Sequence, residues 1–184
     1  MSVARPEFRI ATLDDAQQVH AFARRTFVSA FAADNTDADM QSYLGQSMLL
    51  EQQAAAIEDP TGRVILMEQG ADLIAYASLR DRHAPECVTS CAAIELHRFY
   101  VDAPWHGTHI ARDLMQRVLA QARSLGASTL WLGVWENNPR AIRFYQKQGF
   151  VDVGSIDFLL GTAAQTDRVM QVTLPSGDLP VSDD

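Results

Sequence analysis

The stretch Leu130-Trp131-Leu132-Gly133-Val134-Trp135-Glu136-Asn137-Asn138-Pro139-Arg140-Ala141-Ile142-Arg143-Phe144-Tyr145-Gln146-Lys147-Gln148-Gly149-Phe150 carries three structural signals in order. Thr129 to Val134 is a continuous apolar run of strand length, the pattern of a strand buried on both faces. Asn138 then offers a side-chain oxygen to cap a helix, and Pro139 suits the first helical position, where no amide donor is needed. The helix is expected to end near Gly149, where Phe150-Val151 opens another strand.

Upstream, a helix is expected to begin near Thr108. Ile110, Leu114, Val118 and Ala122 recur every four residues, Ala111, Met115 and Leu125 broaden the stripe, and Arg112, Gln116 and Arg123 fall outside it. Gly126 is a C-cap candidate. Glu95 to Val101 reads as the central strand. Arg63 to Glu68 and Leu73 to Ala77 form a hairpin about the turn Gln69-Gly70-Ala71. At the front, Phe8 to Ala11 reads as a strand, and Thr12 or Asp14 caps a helix burying Val19, Phe22, Ala23 and Phe27. A second helix follows Asn35-Thr36-Asp37, and another helical run reaches Asp59-Pro60. Val169 to Leu174 is the last strand expected. The fold class is therefore α/β (α+β), a mixed and largely antiparallel central sheet flanked by helices. One domain is expected over residues 1–174, with 175–184 a flexible tail.

The 184 residues suffice for one sizeable core. No apolar run reaches the length of a membrane span, and no secretory leader is evident, so cytoplasmic residence and no membrane partner are expected. Cys87 and Cys91 are the only cysteines; their spacing is neither a redox pair nor a zinc set, and no metal is expected. The net charge of -8 argues against a phosphate-backbone binder, and Trp105, Trp131 and Trp135 are not interleaved with basic residues, so no nucleic-acid partner is expected. Residues 98 to 147 are net basic, whereas both flanking regions are net acidic. That division suits an anionic cofactor held centrally and a cationic substrate approaching the remainder.

The second informative stretch is Val101-Asp102-Ala103-Pro104-Trp105-His106-Gly107-Thr108-His109-Ile110-Ala111. A strand feeds a short loop that opens a helix, which leaves amide groups free to meet a phosphate. Neither a phosphate-loop nor a dinucleotide fingerprint is present. With these residues in view, the chain resembles the GNAT superfamily of acyltransferases, whose cofactor loop is [Gln/Arg]-x-x-Gly-x-[Gly/Ala]. His106, His109 and Ala111 fall at its defining positions, and only Ala111 matches it. Residues 130–150 match the family's late strand, Asn-x-x-Ala helix, aromatic-Tyr pair and Gly-Phe in order and spacing. With Phe158-Leu159-Leu160-Gly161 and Asp167-Arg168-Val169-Met170, the wording is similar to bacterial spermidine/spermine acetyltransferases.

The resemblance implies acetyl-CoA as co-substrate and acetyl transfer to a primary amine of a small-molecule cationic acceptor, a polyamine first, with an amino acid, an aminoglycoside or a peptide amino terminus as alternatives. A non-catalytic acyl-CoA-binding module is the competing function, and a homodimer is a compatible assembly. It places the main chain of Phe99, Tyr100 and Val101 against pantetheine and the loop of His106, Gly107, Thr108, His109, Ile110 and Ala111 against pyrophosphate. Asn138 is placed near the cofactor as well as at the helix cap. Tyr145 is implied as the general acid that protonates the departing thiolate; Phe144 is expected in the core. For the acceptor's proton, Glu95 is a candidate base directly or through water. His97, two residues on and expected on the same strand face, is a second candidate or a packing residue. Tyr43 and Glu136 are candidate substrate contacts, with core packing and a solvated loop as the respective alternatives.

Overall fold

The computed structural model describes residues 6–175, so residues 176–184 of the expected tail lie outside the described residues. The elements in chain order are β1 (Glu7–Ile10), α1 (Ala16–Phe31), α2 (Asp37–Ser47), α3 (Leu50–Glu58), β2 (Arg63–Gln69), β3 (Asp72–Arg80) and β4 (Ala93–Val101). They are followed by α4 (Ile110–Ser124), β5 (Thr129–Trp135), α5 (Pro139–Lys147), β6 (Val151–Leu160) and β7 (Ala163–Thr173). The strands form one sheet in the order β1-β2-β3-β4-β5-β7-β6. Each neighbouring pair is antiparallel except β4 and β5.

The sheet is covered on both faces. Ile110, Leu114, Met115 and Val118 of α4 and Tyr145 of α5 pack with Ile65, Ala77, Leu96, Leu130 and Leu132. On the other face, Val19, Phe22 and Phe27 of α1 with Tyr43 and Leu44 of α2 pack on Leu66 and Tyr76. A small third cluster joins Val88, Trp131 and Val169. Both periodicities in the sequence are thus used, the four-residue stripe of α4 on one face and the helical front of the chain on the other.

Four expectations need correction. α4 starts at Ile110, because Gly107 adopts φ +77, outside the helical region, and the Thr108 hydroxyl donates to the Trp105 carbonyl at 2.6 Å while accepting from Ile110 N–H at 3.3 Å. A one-turn helix at Ala103–Trp105, capped by Asp102, precedes that loop. The last strand begins at Ala163 rather than Val169, since it is bonded along its length to β6 as well as to β5. At the front, Thr12 precedes a single helical turn, Leu13–Asp15, and its N–H donates to the Asp15 carboxylate at 2.7 Å; Asp14 is not the cap.

The turn between β6 and β7 is docked on α2. Asp39 accepts from both the amide (2.7 Å) and the hydroxyl (2.9 Å) of Thr162. Gly161 adopts φ +64, and a Cβ there would stand 2.6 Å from the Asp39 Cα. Only glycine allows both the turn and the contact. This closes a wall of α1, α2 and the β6–β7 hairpin over one face of the sheet.

Candidate active site

The parallel pair β4 and β5 stays joined for three positions, Ala93↔Thr129, Ile94↔Leu130 and Glu95↔Trp131. Beyond Trp131, β5 remains bonded to β7, while β4 beyond Glu95 remains bonded to β3, so the two strands part and leave an opening in the sheet. The register fixes which main-chain groups border it. Asp102 N–H donates to the Ile74 carbonyl at 2.9 Å, which makes Ala75↔Val101 a non-hydrogen-bonded pair. The N–H and C=O of Phe99 and Val101 consequently turn away from β3 toward the opening. Those of Tyr100 are spent on Tyr76, so Tyr100 drops out of the expected main-chain set.

β4 also carries a bulge. Leu79 faces Leu96 and Ser78 faces Arg98, which leaves His97 as the extra residue. Side-chain parity flips there, so Ile94, Leu96, Phe99 and Val101 all join the cluster under α4 and α5. His97 therefore does not simply share a face with Glu95. Burial, reinforced by the charges of Arg98, Arg80 and Arg82, pushes its imidazole down to about 2, and it is neutral at physiological pH. Glu95 is buried and its carboxylate is gripped by Arg80, whose Nε and Nη2 donate to its two oxygens, with Arg82 Nη1 at 3.8 Å.

At the far end of the opening, His106 Nε2 donates to the Val101 carbonyl at 2.9 Å. Its Nδ1 then faces the Arg140 guanidinium, with Nη1 and Nη2 each at 3.4 Å. Arg140, from the first turn of α5, thus brings a positive charge to the loop. His109 has φ -75, a conformation open to any L-residue, and its ring lies 3.7 Å from Asp113 one turn down α4. The amides of His109, Ala111 and Arg112 belong to the first helical turn and have no intrahelical acceptor.

Tyr145 is buried on α5, its ring in contact with Phe99 (centroids 6.2 Å apart), Phe144 (5.4 Å) and Phe150 (5.6 Å). Burial, with Tyr100 nearby, raises its pKa and keeps the phenol protonated. Asn138 Oδ1 accepts from Ala141 N–H at 3.1 Å and caps α5. Glu136 is exposed on the β5–α5 loop. Tyr43 is a packing residue, stacked on Phe27 at 4.8 Å and tilted against Phe158.

Two residues outside the sequence-derived set border the opening on the α1–α2 side. Arg98 of β4 is 6% exposed, and its Nη2 donates to the Ser47 carbonyl at 3.0 Å. Asp167 of β7 is half-buried above Gly133 of β5, and burial pushes its carboxyl up to about 6. A Cβ at Gly133 would stand 3.1 Å from Asp167 Oδ2, so the missing side chain is what gives the carboxylate its place. The strand start expected at Val169 places Asp167 outside any element; the alternation of Asp167, Val169 and Gln171 on one strand face is the signal in the sequence.

A sheet that opens between two parallel strands, with the N-terminus of α4 at one end and a buried phenol beside it, has a family counterpart. Residues 17–150 match the Acetyltransferase (GNAT) family. The chain belongs to that family. An uncharacterized N-acetyltransferase of Mycobacterium tuberculosis is 32% identical over 161 residues, covering 86% of this chain and 97% of that one. The crystal structure of the PaiA N-acetyltransferase of Thermoplasma acidophilum in complex with coenzyme A superposes with a TM-score of 0.74 at 17% identity, covering 92% of this chain and 99% of the other. The likeness to the spermine/spermidine N(1)-acetyltransferase of Bacillus subtilis is partial: 31% over 64 residues, 34% of this chain and 42% of that one. Among the described residues, no helix of this GNAT protein is long and apolar enough to cross a membrane.

Proposed function

We propose that this GNAT protein moves an acetyl group from acetyl-CoA to a primary amine of a small acceptor by direct attack on the thioester. The observation that carries this reading is the open edge of β4, with the Phe99 main chain and the Val101 N–H turned into the opening and the Val101 carbonyl held by His106, next to the protonated phenol of Tyr145. The Phe99 and Val101 groups hold the pantetheine arm. The first-turn amides of α4 and the Arg140 guanidinium meet the pyrophosphate, with Gly107, Thr108 and Ile110 shaping the turn and Asn138 holding the start of α5. The acceptor ammonium gives up one proton, its nitrogen bonds to the acetyl carbon, and the carbon–sulfur bond breaks. Tyr145 protonates the departing sulfur and regains a proton from the new amide nitrogen. An acceptor screen with acetyl-CoA that resolves product masses tests the reading; free coenzyme A released with no acetylated amine in any class overturns it.

The loop departs from the family pattern, and its charge comes from elsewhere. Arg140→Ala is expected to weaken coenzyme A binding about tenfold, the scale of one charge-assisted hydrogen bond. His109→Gly is expected to change affinity less than threefold, because the His109 backbone already lies in the helical region. Calorimetry on both variants checks this; a large gain on His109→Gly would show that the imidazole obstructs the phosphate.

Two carboxylates compete for the acceptor's proton. Both oxygens of Glu95 already accept from Arg80, which suits it to bracing β3 on β4. Asp167 lies beside Gly133 and is registered with Trp135 of β5 and Ile156 of β6, none of them charged, and its charge acts on the Tyr100 phenol of β4. We therefore place the base at Asp167, with Glu95 as the alternative. A base titrating at about 6 is protonated below that pH, so kcat/KM rises as pH climbs through about 6. Asp167→Asn is expected to erase that step and Glu95→Gln to keep it; the reverse outcome returns the role to Glu95.

The acceptor's amine approaches as a cation, a chemistry that a polyamine and an amino acid share; the polyamine is the first of the two readings. Its support is the net charge of -8, the exposed Glu136, and the partial likeness to the Bacillus enzyme. A second reading, an amino acid, is favoured by the buried guanidinium of Arg98.

A further inference from the structure

Two opposite charges on the α1–α2 face of the sheet lack partners, and one phenol links them. Arg98 is almost wholly buried, donates from Nη2 to the Ser47 carbonyl and lies 6.0 Å from the centre of the Tyr43 ring. Its Nε has no acceptor, and among the described residues no carboxylate is within ion-pairing distance of it. The Tyr76 hydroxyl beside this group is also buried without a partner. A dehydrated guanidinium with an idle donor is costly to keep unless something anionic visits it.

Asp167 is the counterpart. It has no hydrogen bond or ion pair among the described residues, while neighbouring charges are already matched: Glu95 with Arg80 and Arg82, and Asp152 with Arg168. Tyr100, two residues along β4 from Arg98, is near enough to both Arg98 and Asp167 for their charges to act on its phenol. Arg98 and Asp167 do not pair with each other. Gly133 leaves the space beside Asp167 and the Tyr76–Tyr100 stack (5.8 Å) flanks Arg98, so a cationic and an anionic group without charged partners share this face of the sheet, the complement of a zwitterion.

We propose that the acceptor is an amino-carboxylate of the free amino acid class, its carboxylate taken by Arg98 and the tyrosine hydroxyls and its ammonium by Asp167. The proposal rests on the amine-acetylation reading above and narrows its acceptor. It separates the amino acid from a polyamine, which offers nothing to Arg98 and would place a second cation against it.

The test measures kcat/KM of the full chain with acetyl-CoA for the common L-amino acids, each beside its carboxamide and its decarboxylated amine, and for spermidine. The expected result is at least one amino acid preferred about 100-fold or more over its own carboxamide and decarboxylated amine. Arg98→Gln is expected to reduce that ratio to within a few fold of one; Arg98→Lys, which keeps the charge, retains part of it if Arg98→Gln fails to fold. Acetylation of spermidine or of decarboxylated amines in preference to every amino acid overturns the carboxylate site and leaves amine acetylation standing. If no amine is acetylated, the acetylation reading fails. Calorimetric titration of the amino acids into the coenzyme A-loaded protein then judges the site, and an absence of heat overturns it.

Discussion

Tyr145→Phe is expected to lower turnover on the order of 100-fold while leaving the fold and acetyl-CoA affinity nearly unchanged. The ring contacts with Phe99, Phe144 and Phe150 are made by carbon, and phenylalanine keeps them. Among the described residues the hydroxyl has no hydrogen-bond partner, so its removal orphans nothing. What is lost is a proton donor held beside the Phe99 strand edge in a setting that opposes its ionisation. The measurement is kcat at saturating acceptor, with calorimetry for the cofactor and a melting curve for the fold. Turnover unchanged when chemistry limits the rate would remove Tyr145 from the mechanism; a loss of affinity with kcat intact would make it a binding residue. Because burial raises its pKa, the wild-type rate should show no alkaline fall from this phenol in the neutral range.

The features legible in the sequence are those with a local cause. The Asn138 cap, Pro139 at the first helical position and the four-residue stripe of α4 each lie within one element, and each is found where its chemistry requires. Gly107 in the loop and Gly126 after α4 both adopt positive φ, as residues between elements with this freedom do. The features that are not legible in the sequence depend on register. The bulge at His97 moves Glu95, Arg98 and Tyr100 relative to the faces that simple alternation assigns, and nothing in Glu95-Leu96-His97-Arg98 announces it. The grip of Arg80 on Glu95 spans β3 and β4 across 15 positions of sequence, and Asp167 meets Gly133 only because β7 enters the sheet between β5 and β6. Residues that read as surface charges in the chain therefore become the electrostatics of the site once seven strands are in order.

Trp131→Ala is expected to cost about 3–5 kcal/mol and to lower the melting temperature by roughly 10 °C. Trp131 is 1% exposed and packs with Val88 and Val169 in the small cluster on its face of the sheet. It occupies the last rung, opposite Glu95, before β4 and β5 part. Removing the indole leaves a large cavity at the base of the opening, where the backbone of two strands limits relaxation. Trp131→Phe separates packing from polarity. The indole Nε1–H is buried with no partner, so phenylalanine removes an unpaired donor while keeping most of the ring, and the cost should be no more than about 1 kcal/mol. A functional consequence follows at temperatures where Trp131→Ala remains folded. With the fork no longer pinned, the Phe99 and Val101 edge loses its fixed distance from β5, and KM for acetyl-CoA should rise more than kcat falls. Equal melting temperatures for the alanine variant and the wild type would show that the fork is held by the strand ladders alone. An alanine variant that is destabilised but keeps its KM would place the rigidity of the opening in β3 and β7 instead.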